Sequence, residues 1–267
     1  MVQQQQRVAK LHFVNYLSPL LDSTYEYIAT YVGEHIGLPT TLSVGQSLED
    51  FATGKVDVGF LCGLAYVQMT NWSRCPVELV AAPVLQGERY RQAPLYFSDV
   101  IVRRESRYTS FQDLRGCVWA YNETASHSGY NLVRYSLLQR GLQTDYFRWA
   151  VATGSHLQSL QAVIDGRADA TAIDSHILDV LRQRQPELMA QFRVIDVFGP
   201  SHIPPVVVAN ALEPSLRQKI GEILLSMYHD AQAAQQLHEG LIARFVAIAD
   251  NDYDEIRHMF SLVQSRG

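Results

Sequence analysis

Apolar residues along this chain fall into short runs, and most runs are followed by a stretch with the three- and four-residue spacing of an amphipathic helix. Leu11 to Tyr16 reads as a strand. Ser18-Pro19 then supplies an N-cap and a first-turn proline, which predicts a helix to about Ile36. Thr40 to Val44 is the next strand. Leu48 to Thr53 is a short helix closed by Gly54, Val56 to Leu61 a buried strand, Gly63 to Thr70 a helix, and Val77 to Pro83 a strand. A polar loop spans Gln86 to Pro94, and a long apolar strand runs from Leu95 to Arg103.

The rhythm then restarts. Ser110 to Leu114 forms a helical turn, Cys117 to Tyr121 a strand, Ser128 to Arg140 a helix, and Tyr146 to Ala150 a strand. Ser155 to Ile164 is helical, Ala168 to Ile173 extended, Ser175 to Arg184 helical, and Phe192 to Asp196 extended. Val197 to Pro205, with its Gly-Pro and Pro-Pro pairs, reads as a connector before a strand at Val206 to Ala209. Helices are expected over Pro214 to Tyr228, Ala231 to Leu241 and Tyr253 to Val263. A β-α-β rhythm predicts mainly parallel sheets flanked by helices. Two such units in series, with too little strand left for a third, predict an α/β chain of two lobes. The expected division is a disordered tail over 1–10, one lobe from 11–97 plus 204–267, and a second from 98–203. The chain would cross between lobes near Ser98-Asp99 and Phe198 to Pro205, making a hinge, with ligand bound where strand C-terminal ends collect.

Size and composition fit this picture. The chain has 267 residues, 47% apolar and 18% charged, enough for a substantial core. Its net charge of −5 and the lack of a basic stripe argue against nucleic acid or an anionic membrane as partner. No apolar run is long enough to span a bilayer, so direct membrane insertion is not expected, and the first ten residues hold no signal-peptide core. Either the protein is cytoplasmic, or a leader was removed and a start Met added. Cys62, Cys75 and Cys117 show neither a CxxC nor a metal-ligand spacing, and a Cys62–Cys75 disulfide is conceivable in an oxidising compartment.

The segment Ser126-His127-Ser128-Gly129-Tyr130 carries the clearest chemistry. It lies where a strand hands over to a helix. The first N–H groups of a helix lack internal partners, and that end of the dipole is partly positive. Ser126 and Ser128 add hydroxyl donors, and Gly129 lets a ligand approach the backbone. Such a turn suits phosphate, phosphonate, sulfonate or carboxylate. The plainer reading is an ordinary serine N-cap.

The order of several segments resembles the substrate-binding components of phosphate/phosphonate-type ABC transporters, with the type II periplasmic-binding fold. Val56-Asp57-Val58-Gly59-Phe60-Leu61-Cys62-Gly63-Leu64-Ala65-Tyr66 is similar to that family's strand and turn. Asp113-Leu114-Arg115-Gly116, the Ser126–Tyr130 turn, Thr153-Gly154-Ser155-His156, Gly166-Arg167-Ala168-Asp169-Ala170 and Asp252-Tyr253-Asp254 follow in the family's order. The resemblance implies a periplasmic receptor that closes on a small anionic ligand and delivers it to an ABC transporter membrane subunit. It implies ligand-binding roles for Ser126, His127, Ser128 and Gly129, for His156 as a second donor, and for Tyr96 beside the cleft. Asp174 would face the ligand's organic tail, where related proteins hold an ammonium group. Cys62 joins this set from the turn after the third strand. Tyr16 and Ser18, at the first strand–helix junction, are contacts of a second tier.

Each residue also has a plainer reading. His127 offers its backbone N–H more than its ring. Asp174 and Ser18 could be plain caps, and Tyr96 a packing aromatic. His127, His156, His176 and His202 have no metal-binding spacing, so neither a metal nor a cofactor is expected. No catalytic signature is present: there is no GxSxG elbow, no Walker A loop and no GxGxxG. Two alternatives stay open. One is a cytosolic enzyme on the same fold, of the menaquinone-pathway or pyrimidine-precursor type, which Phe13 to Pro19 faintly resembles. The other is a ligand-sensing module of a signalling system.

Overall fold

The computed structural model describes residues 10–266, so the tail expected over 1–10 lies, apart from Lys10, outside the described residues. The elements in chain order are β1 (Leu11–Asn15), α1 (Asp22–Ile36), β2 (Thr40–Val44), α2 (Glu49–Ala52), β3 (Val58–Phe60), α3 (Gly63–Thr70), β4 (Val77–Leu85) and β5 (Leu95–Arg103). Then come β6 (Val118–Tyr121), α4 (Leu132–Gln139), β7 (Trp149–Ala152), α5 (His156–Ile164), β8 (Ala170–Asp174), α6 (Ser175–Arg184), α7 (Pro186–Met189) and β9 (Phe192–His202). The chain ends with β10 (Val206–Ala209), α8 (Pro214–Ser226), α9 (Ala231–Glu239), β11 (Ile242–Val246) and α10 (Asp254–Arg266).

The chain forms two compact units. Unit 1 comprises Met1–Leu61, Met69–Pro83 and Pro204–Ile248, of which the first nine residues are undescribed. Its sheet has the order β11-β4-β10-β3-β1-β2. β1 pairs parallel with β2 and β3, whereas β10 pairs antiparallel with β3 and β4. Ser18 Oγ accepts the Leu20 N–H, and Gly37 closes α1 in the left-handed region at φ 79°, where a side chain would be strained. Tyr25 of α1 stacks on Phe60 of β3 with ring centroids 4.2 Å apart, fixing the helix on the sheet.

Unit 2 comprises Cys62–Gln68, Val84–Ile203 and Ala249–Gly267. Its sheet has the order β7-β6-β8-β5-β9. β6 pairs parallel with β7 and β8, and β5 runs antiparallel to β8 and β9. A core of Val100, Val102, Phe111, Trp119, Leu132, Leu137, Tyr146 and Phe198 fills one side of it.

Several elements differ from the sequence reading. Both sheets are mixed rather than mainly parallel, because β5 and β10 insert as antiparallel strands beside parallel ones. β7 starts at Trp149, not Tyr146. Tyr146 instead stacks on Phe111 at 5.4 Å and Phe147 on Trp119 at 4.6 Å, so this apolar pair plugs the core. β9 continues through the expected connector to His202. It is an edge strand, and there the missing N–H of Pro200 costs no ladder bond. β11, unforeseen, extends the first sheet beyond β4. α10, expected to return to the first lobe, packs its Met259 into the unit 2 core with α4. The cysteines form no disulfide.

Candidate functional site

The Ser126 turn is built as its sequence suggests, with one addition. Ser126 is extended (φ −76°, ψ 132°), and its Oγ accepts the Gly129 N–H at 3.0 Å. His127–Asn131 then form a single π-helical turn before α4. The Asn131 N–H donates to the Ser126 carbonyl at 3.0 Å, closing the turn. A π-turn spans five residues, so the amides of 127–130 find no carbonyl partner within it. Ser126 Oγ takes that of Gly129, and the His127 N–H points to the Cys62 thiol. The wide first turn thus gathers amides at the positive end of a helix.

The His127 ring points inward. Asn131 donates its side-chain N–H to Nδ1 at 3.1 Å, so Nε2 carries the proton and donates to Ser201 Oγ at 2.8 Å. The ring is fully buried, and burial pushes its pKa down to about 3. It is therefore a neutral peg that fixes the turn, and its backbone N–H, expected to be the donor, is turned to the Cys62 thiol.

Ser128 is the best-placed side chain. Its carbonyl accepts from Ser98 Oγ at 2.8 Å, and its Oγ lies 3.3 Å from His156 Nε2. The buried Tyr96 hydroxyl also bonds Ser128, and burial raises the Tyr96 pKa well above its usual value, so it stays a donor. His156 opens α5, whose N-cap Ser155 accepts the Gln158 N–H at 3.2 Å. Burial pushes the His156 pKa down to about 4, and its buried Nδ1 has no partner among the described residues. A Ser–His contact with no acid on the far nitrogen lacks the third member that orients a catalytic base.

Strand register ties these groups together. On β5, Ser98 is opposite Asp174 of β8, and Tyr96 is opposite Ser201 of β9. One strand therefore presents Tyr96 and Ser98 to the turn while its neighbours bring Ser201 and Asp174. Asp174 is the N-cap of α6, with Oδ1 accepting from His176 N at 2.8 Å and Ile177 N at 3.4 Å. Burial raises its pKa to about 7, and the nearby Asp99 and Asp179 push the same way. Cys62 Sγ accepts from the amides of His127, Leu64 and Ala65, and its pKa is raised by burial. The thiol thus sits where the π-turn meets the start of α3.

Six of the sequence-derived candidates beyond Ser126 and Gly129 fall in this unit: His127, Ser128, His156, Asp174, Tyr96 and Cys62. Tyr16 and Ser18 belong to unit 1. There the Tyr16 hydroxyl donates to the Ser47 carbonyl at 2.9 Å, and Ser18 Oγ caps its own turn. Ser98, Ser201, Asn122 and Asn131 were not foreseen. Their one sequence signal is polarity inside apolar runs, clearest at Ser98-Asp99, which reads equally well as a hinge. Among the described residues no group of three His, Cys, Asp or Glu is placed to hold a metal ion, and no helix is long and apolar enough to cross a membrane.

The model of a family described as ABC transporter, phosphonate, periplasmic substrate-binding protein matches residues 15–253. A binding-protein component of an ABC phosphonate transporter from Pseudomonas aeruginosa superposes with a TM-score of 0.84 at 20% identity, covering 96% of this chain and 86% of that one. PhnD1 from Prochlorococcus marinus, solved with methylphosphonate, gives 0.84 at 15% identity, covering 96% and 98%. The periplasmic aliphatic sulphonate binding protein SsuA from Escherichia coli gives 0.62 at 13% identity, covering 97% and 88%.

Proposed function

Because the chain belongs to the family of periplasmic substrate-binding proteins of phosphonate ABC transporters, we propose that it holds a small oxyanion at the Ser126–Gly129 turn. Members of this family bind a solute and work with the transporter's membrane components; they are receptors, not enzymes. The remaining first-turn amides, those of Ser128 and Tyr130, and the Ser128 and Tyr96 hydroxyls would donate to the oxyanion, with His156 beside them. A location in the periplasm and handover to a membrane subunit of the transporter are parts of the same proposal.

The single observation that carries the assignment is the convergence on Ser128: a widened helix start, a second hydroxyl from Tyr96, and His156 Nε2 at 3.3 Å. Neutral donors of this kind bind oxyanions without a cationic side chain. Asp174 already spends Oδ1 on two backbone amides, which favours a ligand without an ammonium group. The methylphosphonate in the Prochlorococcus relative is such a ligand.

Calorimetry on the full chain with methylphosphonate, inorganic phosphate and methanesulfonate tests this. At least one is expected to bind, and Ser128→Ala is expected to weaken binding by about 1–3 kcal/mol, the worth of one charge-assisted hydrogen bond. Unchanged affinity in that variant would place the anion elsewhere.

A further inference from the structure

The donors around the Ser126 turn are neutral, and one carboxyl group shares their face. Ser98 and Asp174 are directly opposite each other on the antiparallel pair β5 and β8, so their side chains leave the sheet on the same side. Ser98 uses that side to donate its hydroxyl to the Ser128 carbonyl at 2.8 Å. Asp174 therefore sets its carboxyl beside the turn, close enough for its charge to act on the Tyr96 hydroxyl and the Cys62 thiol.

The two oxygens of Asp174 differ. Oδ1 accepts the His176 and Ile177 amides at the start of α6. Oδ2 accepts no hydrogen bond among the described residues, and the residue stays partly exposed. Asp174 also lacks a cation of its own. Arg89 spends its guanidinium on Asp99, bidentately at 2.7 and 2.9 Å, and Arg182 pairs with Asp179. Tyr96 on β5, Cys62 before α3, His176 on α6 and the neutral rings of His127 and His156 are the other titratable groups around it among the described residues. A carboxylate placed beside an anion with no donor between them repels it. Burial, with Asp99 and Asp179 pushing the same way, raises the Asp174 pKa to about 7, so near neutral pH this group readily takes a proton.

On the premise that the Ser126–Gly129 turn holds the oxyanion, we propose that the bound anion and Asp174 Oδ2 share one proton. A phosphonate or phosphate brings that proton as its own P–OH and donates it to Oδ2. Its bare oxygens remain for the hydroxyl and amide donors of the turn. A sulfonate has no O–H, so it binds only when Asp174 itself is protonated. Above neutral pH the site thus selects singly protonated phosphoryl ligands over sulfonates, because an acceptor built to pair with a ligand O–H is left unpaired by an analogue that lacks it.

Isothermal titration of the full chain from about pH 6 to about pH 9, with methanesulfonate, methylphosphonate and inorganic phosphate, tests this. Methanesulfonate is a monoanion throughout, so its pH profile reports the protein's proton alone. Its affinity should fall about tenfold per pH unit above about pH 7. At about pH 8.5, methylphosphonate, phosphate or both should bind roughly tenfold or more tightly than methanesulfonate. Asp174→Asn keeps an oxygen for the two cap bonds and offers an N–H donor where Oδ2 was. That variant should lose the sulfonate slope and bind methanesulfonate roughly tenfold more tightly than the parent at about pH 8.5, a gain that a merely structural role would not produce. The proposal is overturned if sulfonate affinity in the parent is flat with pH, or if sulfonate matches both phosphoryl probes at about pH 8.5. It is equally overturned if folded Asp174→Asn does not tighten sulfonate binding. Those results leave the oxyanion site standing, whereas no binding of any of the three anions at any pH removes the site and the shared proton together.

Discussion

A methyl group on Gly129 would lie 2.0 Å from Asn122 Oδ1 and 3.3 Å from His156 Cε1. Glycine is present here because the neighbours crowd the turn, not because the backbone is left-handed. Asn122 Oδ1 is itself buried and has no hydrogen-bond partner among the described residues. Gly129→Ala must therefore displace Asn122 and disturb the turn. An overpacked site costs about 1–3 kcal/mol, and anion affinity should fall with it. Asn122→Ala in the same chain removes the clashing oxygen, so the double variant should recover most of the lost stability in urea unfolding. No recovery would mean that something other than this clash excludes a side chain. At this scale the Ser126–Gly129 turn was legible, because a serine at a strand–helix junction signals an N-cap. Asn122 and Ser201 were not. Their partners lie 7 residues away at Gly129 and 74 away at His127, beyond any local pattern.

Elements obeyed their sequence where the cause was local. The N-caps Ser18 and Ser155 and the swap of Ser126 into a capping role follow from side-chain oxygens reaching nearby amides. Elements departed where packing chose between equally apolar stretches, as when Tyr146 and Phe147 entered the core and moved β7 outward. α10 is the clearest case. Its apolar stripe could cover any helix, and the structure places Met259, 4% exposed, among Leu132, Val133 and Leu137. Met259→Ala should cost about 2–4 kcal/mol in equilibrium unfolding. A loss below about 0.5 kcal/mol, the range of an ordinary surface change, would mean the helix is not docked there.

For the whole molecule, the buried titratable groups of unit 2 set a pH dependence with opposing signs. His127 and His156 drop from 6.5 to about 3 and about 4 on folding, so below pH 6.5 the unfolded chain binds more protons and acid removes stability. Asp174 rises from 3.8 to about 7, so between those values the folded chain holds the extra proton. Its contribution is fully present below pH 3.8 and is lost as pH rises through 7. Asp174→Asn keeps a capping side chain but removes this opposing group. Between about pH 4.5 and 6 its stability should fall with acid more steeply than that of the parent, by about 1.4 kcal/mol per pH unit. Parallel pH profiles of the two proteins in urea would show that Asp174 titrates normally.

The chain's own pattern determined that there are two α/β units, most element boundaries, and a serine-capped strand–helix turn at Ser126–Gly129, because periodicity, caps and glycine placement act within a few residues. Three-dimensional packing alone decided that His127 would serve as a buried peg, that Ser201 would brace it and Ser98 the Ser128 carbonyl, that both sheets would mix strand directions, and that α10 would close the second unit. Those outcomes depend on which distant surfaces meet, and burial energy is blind to separation along the chain.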